Sequence, residues 1–207
     1  VWRAAFKPLV DRIADTDIRL QWFCCDRSTG VTDASGNRIT LIRDTQSPVA
    51  VEYQAVKFIG TGRDNIKAGV FSGWELGDYI YLRSEEAYMI KMEALAHKSS
   101  AEAVTELNSF MKTRQPDYNY TFTNKADLIE EIIYQKRVEF WGEGLEYIDN
   151  RRLNIPVDRT DETWGAENNN HFSAGKFRYN QEDRPFLYQL PLSEIENNSQ
   201  LSPSDQN

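Results

Sequence analysis

Cysteine and histidine are scarce. The 207-residue chain has two cysteines, Cys24 and Cys25, and two histidines, His97 and His171. Adjacent cysteines are badly placed for ordinary disulfide geometry, so no cross-link is expected. Two cysteines and two distant histidines cannot assemble a structural zinc site. No apolar run is long enough to span a bilayer. No start Met and no leader pattern stand at "VWRAAFKPLV", as in a mature fragment or trimmed chain. Basic residues are outnumbered, 24 against 32 acids, for a net charge of −8. Such a chain repels phosphate backbones, which excludes nucleic acid as the expected partner. The glycines of "GTG" at 60–62 do not lie between a clear strand and helix, so no phosphate loop is read there. No cofactor is expected.

What is present is an ordinary supply of apolar residues, 40%, with aromatics at 12%. That suits one large domain with its own core. Residues 1–207 are read as a single unit in three stretches. Residues 1–75 are loop-rich with short strands: "STGVTDASGNR" is turn chemistry and "VAVEYQAVKFI" alternates like a strand. Residues 76–153 form a helical core. "DYIYLRSEEAYMIKMEALAHK" (78–98) has no Gly or Pro, with Asp78 as cap and His97 and Lys98 at its end. "SAEAVTELNSFMKTR" (100–114) opens on Ser100 as N-cap, with Ala103, Leu107, Phe110 and Met111 as its stripe. The short link predicts an antiparallel αα-hairpin. A third helix starts at Thr123 or Asn124 and loosens at Gly142 and Gly144, with "LEYIDNRRL" adding further turns. Residues 154–207 are read as loops, with "FLYQLPLSEI" a short extended segment ending at Pro191.

Acids fall where apolar residues are expected. At about 100° per residue, Glu86 and Glu93 share the arc of Met89 and Ile90, in a helix with only a narrow polar strip (Ser84, Lys91, Lys98). Glu139 and Glu143, one helical turn apart, fall inside the arc of Leu128, Ile132 and Phe140. A bare buried carboxylate is costly, so each needs a cation or backbone donors. Arg83, Arg114, Arg137 and Arg152, the last beside Asp149, supply them. One reading is a catalytic carboxylate pair acting on a sugar, with Glu139 and Glu143 as its members. The other, preferred because the acids lie mid-helix with arginines to match, is a set of structural ion pairs. These comprise Arg83, Glu86, Glu93, Arg114, Arg137, Glu139, Glu143, Asp149 and Arg152.

The same stretches resemble the SusD/RagB family. "RSEEAYMIKMEALA" is similar to its helix pattern R-x-x-E-x-Y-L-I-x-A-E-A through Arg83, Glu86, Tyr88, Ile90, Glu93 and Ala94, while Met92 stands where Ala is usual. "AVTELNSFMKTR" resembles the next element through Ala103, Leu107, Asn108 and Arg114. "IIYQKRVEFWGEGLEYIDNRRLN" resembles the most diagnostic stretch through Arg137, Glu139, Gly142, Glu143, Gly144, Asp149 and Arg152. "FLYQLPLSEIENN" resembles the closing motif through Pro191, Glu194 and Asn198. The resemblance covers about residues 78–207, with looser fits at "DTDIRLQWF" and "AVKFI".

It implies a mainly α, SusD-like fold of tetratricopeptide-like hairpins with long irregular loops and a few short strands. It implies the C-terminal part of a non-enzymatic lipoprotein on the outer-membrane surface of Bacteroidetes. Such a protein binds oligosaccharides or peptides and works with a SusC-like TonB-dependent transporter. Its only membrane attachment is an N-terminal lipid anchor absent from this chain. A helical-repeat scaffold that binds only protein partners is a further alternative.

The family has no universal ligand motif, so ligand contacts come from chemistry alone. Sugar rings stack on aromatic faces, and their hydroxyls bond amides and acids. Trp164 in "DETWGAENNN", beside Asn168, Asn169 and Asn170, qualifies, as do Tyr118 and Tyr120 in "PDYNYTF" and Trp22. The alternative for each is a loop aromatic anchored on the core. "DRTDE" (158–162) lacks the oxygen spacing of a calcium loop and is read as solvated.

Overall fold

A computed structural model describes residues 5–24, 53–55, 57, 81–183 and 189–205. The readings at "STGVTDASGNR", at "GTG", at Asp78 and at Cys25 lie outside the described residues. The chain divides into two compact units, Val1–Glu139 and Phe140–Asn207.

The first unit is helical. After α1 (Lys7–Asp11) the chain makes a 3-10 turn at Ile18–Trp22, opened by Asp17, whose carboxylate accepts from the Arg19 backbone N–H. Strands β1 (Phe23–Cys24) and β2 (Gln54–Ala55) pair antiparallel, Phe23 opposite Ala55. Of the expected strand at "VAVEYQAVKFI", Gln54–Ala55 is the part seen paired. Helices α2 (Ser84–Lys98) and α3 (Ser100–Met111) are separated by Ser99 alone. Ser99 has extended backbone (φ −147°, ψ 94°), which breaks the helix and turns the chain back. Ser99, not Ser100, takes the cap position, and no side chain caps that end. Helix α4 (Lys125–Glu139) packs against both. It starts at Asn124, whose side-chain oxygen accepts from the Asp127 N–H at 3.0 Å, while the Asp127 carboxylate takes Thr123 and Asn124.

The core follows helical spacing. Met89, Met92, Glu93 and Ala96 line α2, and Ala103, Leu107 and Met111 line α3. Most of α4 from Leu128 onward is buried, as the central element. Leu20 and Phe23 add the base of the core. Two expectations are corrected. Helix α2 is not wrapped on most sides: Tyr88 and Ile90 are exposed, because one stripe of it meets α3 and α4. It also starts at Ser84, since Arg83 is extended (φ −120°, ψ 148°) and lies just outside it.

In the second unit, Gly142 (φ 78°) and Gly144 (φ 88°) adopt left-handed backbone that side chains disfavour, and α5 (Leu145–Arg152) follows. Glu139 is the last residue of α4, so the one-turn spacing assumed for Glu139 and Glu143 does not apply. Residues 154–183 are more regular than a loop. Strands β3 (Val157–Asp158) and β4 (Arg178–Tyr179) pair antiparallel around α6 (Asp161–Trp164) and a 3-10 turn at Ser173–Gly175. Near the C-terminus, the Pro191 carbonyl accepts from Glu194 and the Asn198 N–H donates to the Glu194 carbonyl. These bonds start and finish α7 (Leu192–Asn197), which begins immediately after Pro191; of the extended segment read at "FLYQLPLSEI", residues 186–188 lie outside the described residues.

Candidate functional site

Glu139 is met by three arginines of the first unit. It is 2% exposed. Its Oε1 accepts from Arg83 at 3.0 Å and Arg114 at 3.2 Å, and its Oε2 accepts from Arg114 at 3.3 Å and Arg19 at 3.5 Å. Its backbone carbonyl, at the C-terminus of α4, takes Lys57 at 2.6 Å and Arg83 at 2.9 Å, where the helix dipole favours cations. Burial works against ionisation, but bonds and charge from Arg114, Arg19 and Arg83 overcome it and hold the carboxyl below its ordinary value. A general acid needs the opposite shift, toward neutral pH.

Arg19 is the residue that sequence reasoning missed. It is 1% exposed and lies between Glu139, Asp17 (2.6 Å), and the Gln135 side chain and carbonyl. The other ion-pair residues sort unevenly. Glu85, rather than Glu86, meets Arg83 (3.8 Å) and Arg114 (3.4 Å), and Glu86 is half-buried. Glu93 is buried in the α2 stripe, while Arg137 and Glu143 are half-buried. In the second unit, buried Asp149 pairs with Arg152 at 2.7 Å.

Beside this cluster the first unit holds a cleft of about 410 Å³. Arg12 to Ala14 and Asp17 form one wall, the 115–120 loop another, and Glu131, Tyr134 and Gln135 of α4 the floor. Tyr118 and Tyr120 both line it. Tyr118, nominated as an exposed aromatic, is buried, and its hydroxyl donates to Glu131 at 2.8 Å. Burial first, and then Glu131, raise that hydroxyl's pKa, so it stays a protonated donor. Glu131 also accepts from Gln135 at 2.7 Å and from Arg12 at 2.7 Å, and the Arg12 guanidinium lies 3.9 Å from the Tyr134 ring centre. Tyr120 is pinned by two bonds to Asn108, at 2.7 Å and 3.0 Å. Asp117 accepts from the Thr16 hydroxyl at 2.6 Å, tying the loop to the opposite wall. The floor therefore connects through Glu131, Gln135 and Arg19 to Glu139. The cleft combines fixed rings with hydroxyl, amide and carboxylate groups, a surface suited to a polyhydroxylated ligand.

The remaining candidates lie elsewhere. Trp22, half-buried in the 3-10 turn, is outside the cleft lining, and the Lys57 ammonium sits 4.8 Å from its ring centre. Trp164 belongs to the second unit. It is 37% exposed, and its indole N–H donates to the Asp158 carbonyl at 3.0 Å. The Asp158 carboxylate takes Thr160, Thr163 and Arg178; partial burial opposes ionisation, yet these donors bring its pKa to about 2. Asp161 takes Lys176 and Asn169. Asp158 and Asp161 of "DRTDE" thus hold their own loop together, and no metal-ligating group of acids, cysteines and histidines occurs among the described residues. No helix of the described residues is long and apolar enough to cross a membrane.

A search of curated proteins returns no match. A SusD-like carbohydrate binding protein from Bacteroides vulgatus ATCC 8482 shares the fold at a TM-score of 0.59 and 21% identity, over 93% of this chain. The match takes in 40% of that protein, so this chain spans well under two thirds of its length. The SusD family model matches residues 53–207, which include the α2–α4 core and the Pro191 motif. The chain belongs to the SusD family.

Proposed function

We propose that this chain is part of a surface nutrient-binding lipoprotein that captures oligosaccharides, or peptides, for uptake through a SusC-like TonB-dependent transporter of the outer membrane. The observation that carries the reading is membership of the SusD family across residues 53–207. The cleft with Tyr118, Tyr120 and Tyr134 is the ligand contact of the first unit, and Trp164 is an additional stacking surface on the second. The protein is a binder and not a hydrolase. Glu139, the acid a hydrolase would need most, is held ionised by three arginines, as suits a scaffold group.

A lipid anchor on the intact protein would tether the bound ligand near the transporter and raise its local concentration there. The test is mild-detergent purification of the full-length protein from outer membranes. Co-purification with a TonB-dependent transporter is the expected result. Recovery from periplasm or cytoplasm, with no transporter attached, would overturn the reading.

A further inference from the structure

The cleft is unevenly charged. Glu131 already shares Arg12 with Glu130, at 2.7 Å and 3.6 Å, so two carboxylates face one guanidinium at that corner. The same guanidinium is laid against Tyr134. Asp17 is matched by Arg19, which bonds both of its oxygens from beneath the floor. Asp117 stands at the mouth, exposed, with Thr16 donating to one oxygen. The Thr16 bond holds its carboxyl below its ordinary value, so it is ionised at every physiological pH. Arg12 is the sole cation among the described lining residues, and it is committed to acids of the protein itself. A ligand carboxylate or sulfate entering here meets Asp117 and Glu131, and among the described lining residues no cation is left to answer it. The chain's overall charge of −8 adds to the repulsion.

We propose that this cleft discriminates by charge, with Asp117 as the selecting group: it admits neutral or amine-bearing oligosaccharides and turns away uronate and sulfated ones. The proposal rests on the reading of the cleft as the ligand site. Like charges about 4 Å apart weaken binding from roughly fivefold in bulk water to several hundredfold at a protein surface. A solvent-open mouth lies toward the lower end, and about tenfold per acidic group facing Asp117 is the expected penalty. The effect is electrostatic and therefore shrinks with added salt. An ammonium group on the ligand gains from the same field, so amino sugars bind at least as tightly as their neutral counterparts.

The test is a glycan array probed with the purified full-length protein, carrying matched hexasaccharides. The pairs are glucose with glucuronate, galactose with galacturonate, and glucosamine with its N-sulfated form, with N-acetylglucosamine as the neutral reference for the last. The neutral or amine-bearing member should bind about tenfold tighter than any acidic one. The gap should narrow in high salt and again in Asp117→Asn, which keeps an oxygen for Thr16 and so preserves the loop tie. Equal binding of acidic and neutral members would overturn the selectivity while leaving the cleft in place as a binding site. A gap unchanged in a folded Asp117→Asn variant would remove Asp117 from the proposal. No binding by any member would overturn the reading of the cleft as an oligosaccharide site, and this proposal with it.

Discussion

Replacing Glu139 with glutamine tests the packing logic of the first unit. The wild-type carboxylate, 2% exposed, answers Arg19, Arg83 and Arg114. Glutamine keeps one oxygen acceptor but removes the charge and turns an N–H₂ toward guanidinium donors. Breaking one side of a buried pair costs about 3–5 kcal/mol, because the remaining charge stays desolvated. Two features moderate this. Arg83 and Arg114 retain some solvent contact, and Arg19 keeps Asp17 and Gln135. About 3 kcal/mol is therefore expected for Glu139→Gln, and up to about 5 for Glu139→Ala, which also opens a cavity. For a chain of this size that is a drop in Tm of roughly 6–20 °C. Urea unfolding followed by circular dichroism would measure it, with a double-mutant cycle against Arg19→Gln to isolate the pair. A Glu139→Gln variant within about 0.5 kcal/mol of wild type would refute the reasoning, since that is the range of an unremarkable surface change.

Stability should also depend on pH with a definite sign. Glu139 has a lowered pKa in the folded chain, so its contribution is present above the unfolded carboxyl value and lost as pH falls through the folded one. Asp158, at about 2, follows the same rule in the second unit. The tryptophan emission of the Trp164 loop should therefore hold steady at pH 5 and shift between about pH 4 and 2; a loop that opens on going from pH 5 to 8 would contradict the sign. Met92, 1% exposed where the family pattern has alanine, should cost about 2–5 kcal/mol on Met92→Ala in thermal or urea unfolding. No expansion of the structure to fill that space is expected, and a neutral result would mean the helices close up. Purified protein should release no reducing sugar from oligosaccharides; turnover abolished by Glu143→Gln would reverse the non-enzymatic reading.

The helical hairpin is legible because its signals are local. The stripes Met89–Met92–Ala96 and Ala103–Leu107–Met111 repeat at three and four residues, and the serines at 99 and 100 mark the turn. The mainly α, SusD-like fold follows from these and from the family match. The Glu139 cluster is half legible. Arg83 and Arg114 end or precede helices at motif positions, but Arg19 meets Glu139 across 120 residues of sequence. Its short turn, "DTDIRLQWF", carries no periodicity that would announce burial. Glu85 replaces Glu86 beside the arginines for a related reason. Helix α2 starts at Ser84, and one residue along a helix is a rotation of about 100°.

The cleft is less legible still. Tyr118 and Tyr120 are visible as loop aromatics, but their walls come from residues 12–17 and from α4, which no local pattern connects. The polar stretch 154–183 reads as loop because its strands are two residues each and its ties are distant in sequence. Asp158 meets Arg178, its cross-strand partner, across 20 residues, and Asp161 meets Lys176 across 15.

The central claim is that the cleft of the first unit holds the ligand. Its most direct measurement is calorimetric titration of the full-length protein with the tightest-binding hexasaccharide from the glycan array, comparing wild type with Tyr120→Ala. Tyr120 lines the cleft, and its backbone bonds to Asn108 do not need the ring, so the variant should fold normally. The account predicts affinity weakened by about tenfold, in line with losing one stacking contact of roughly 1–1.5 kcal/mol. Unchanged affinity in a folded Tyr120→Ala variant would contradict it and move the ligand away from this cleft.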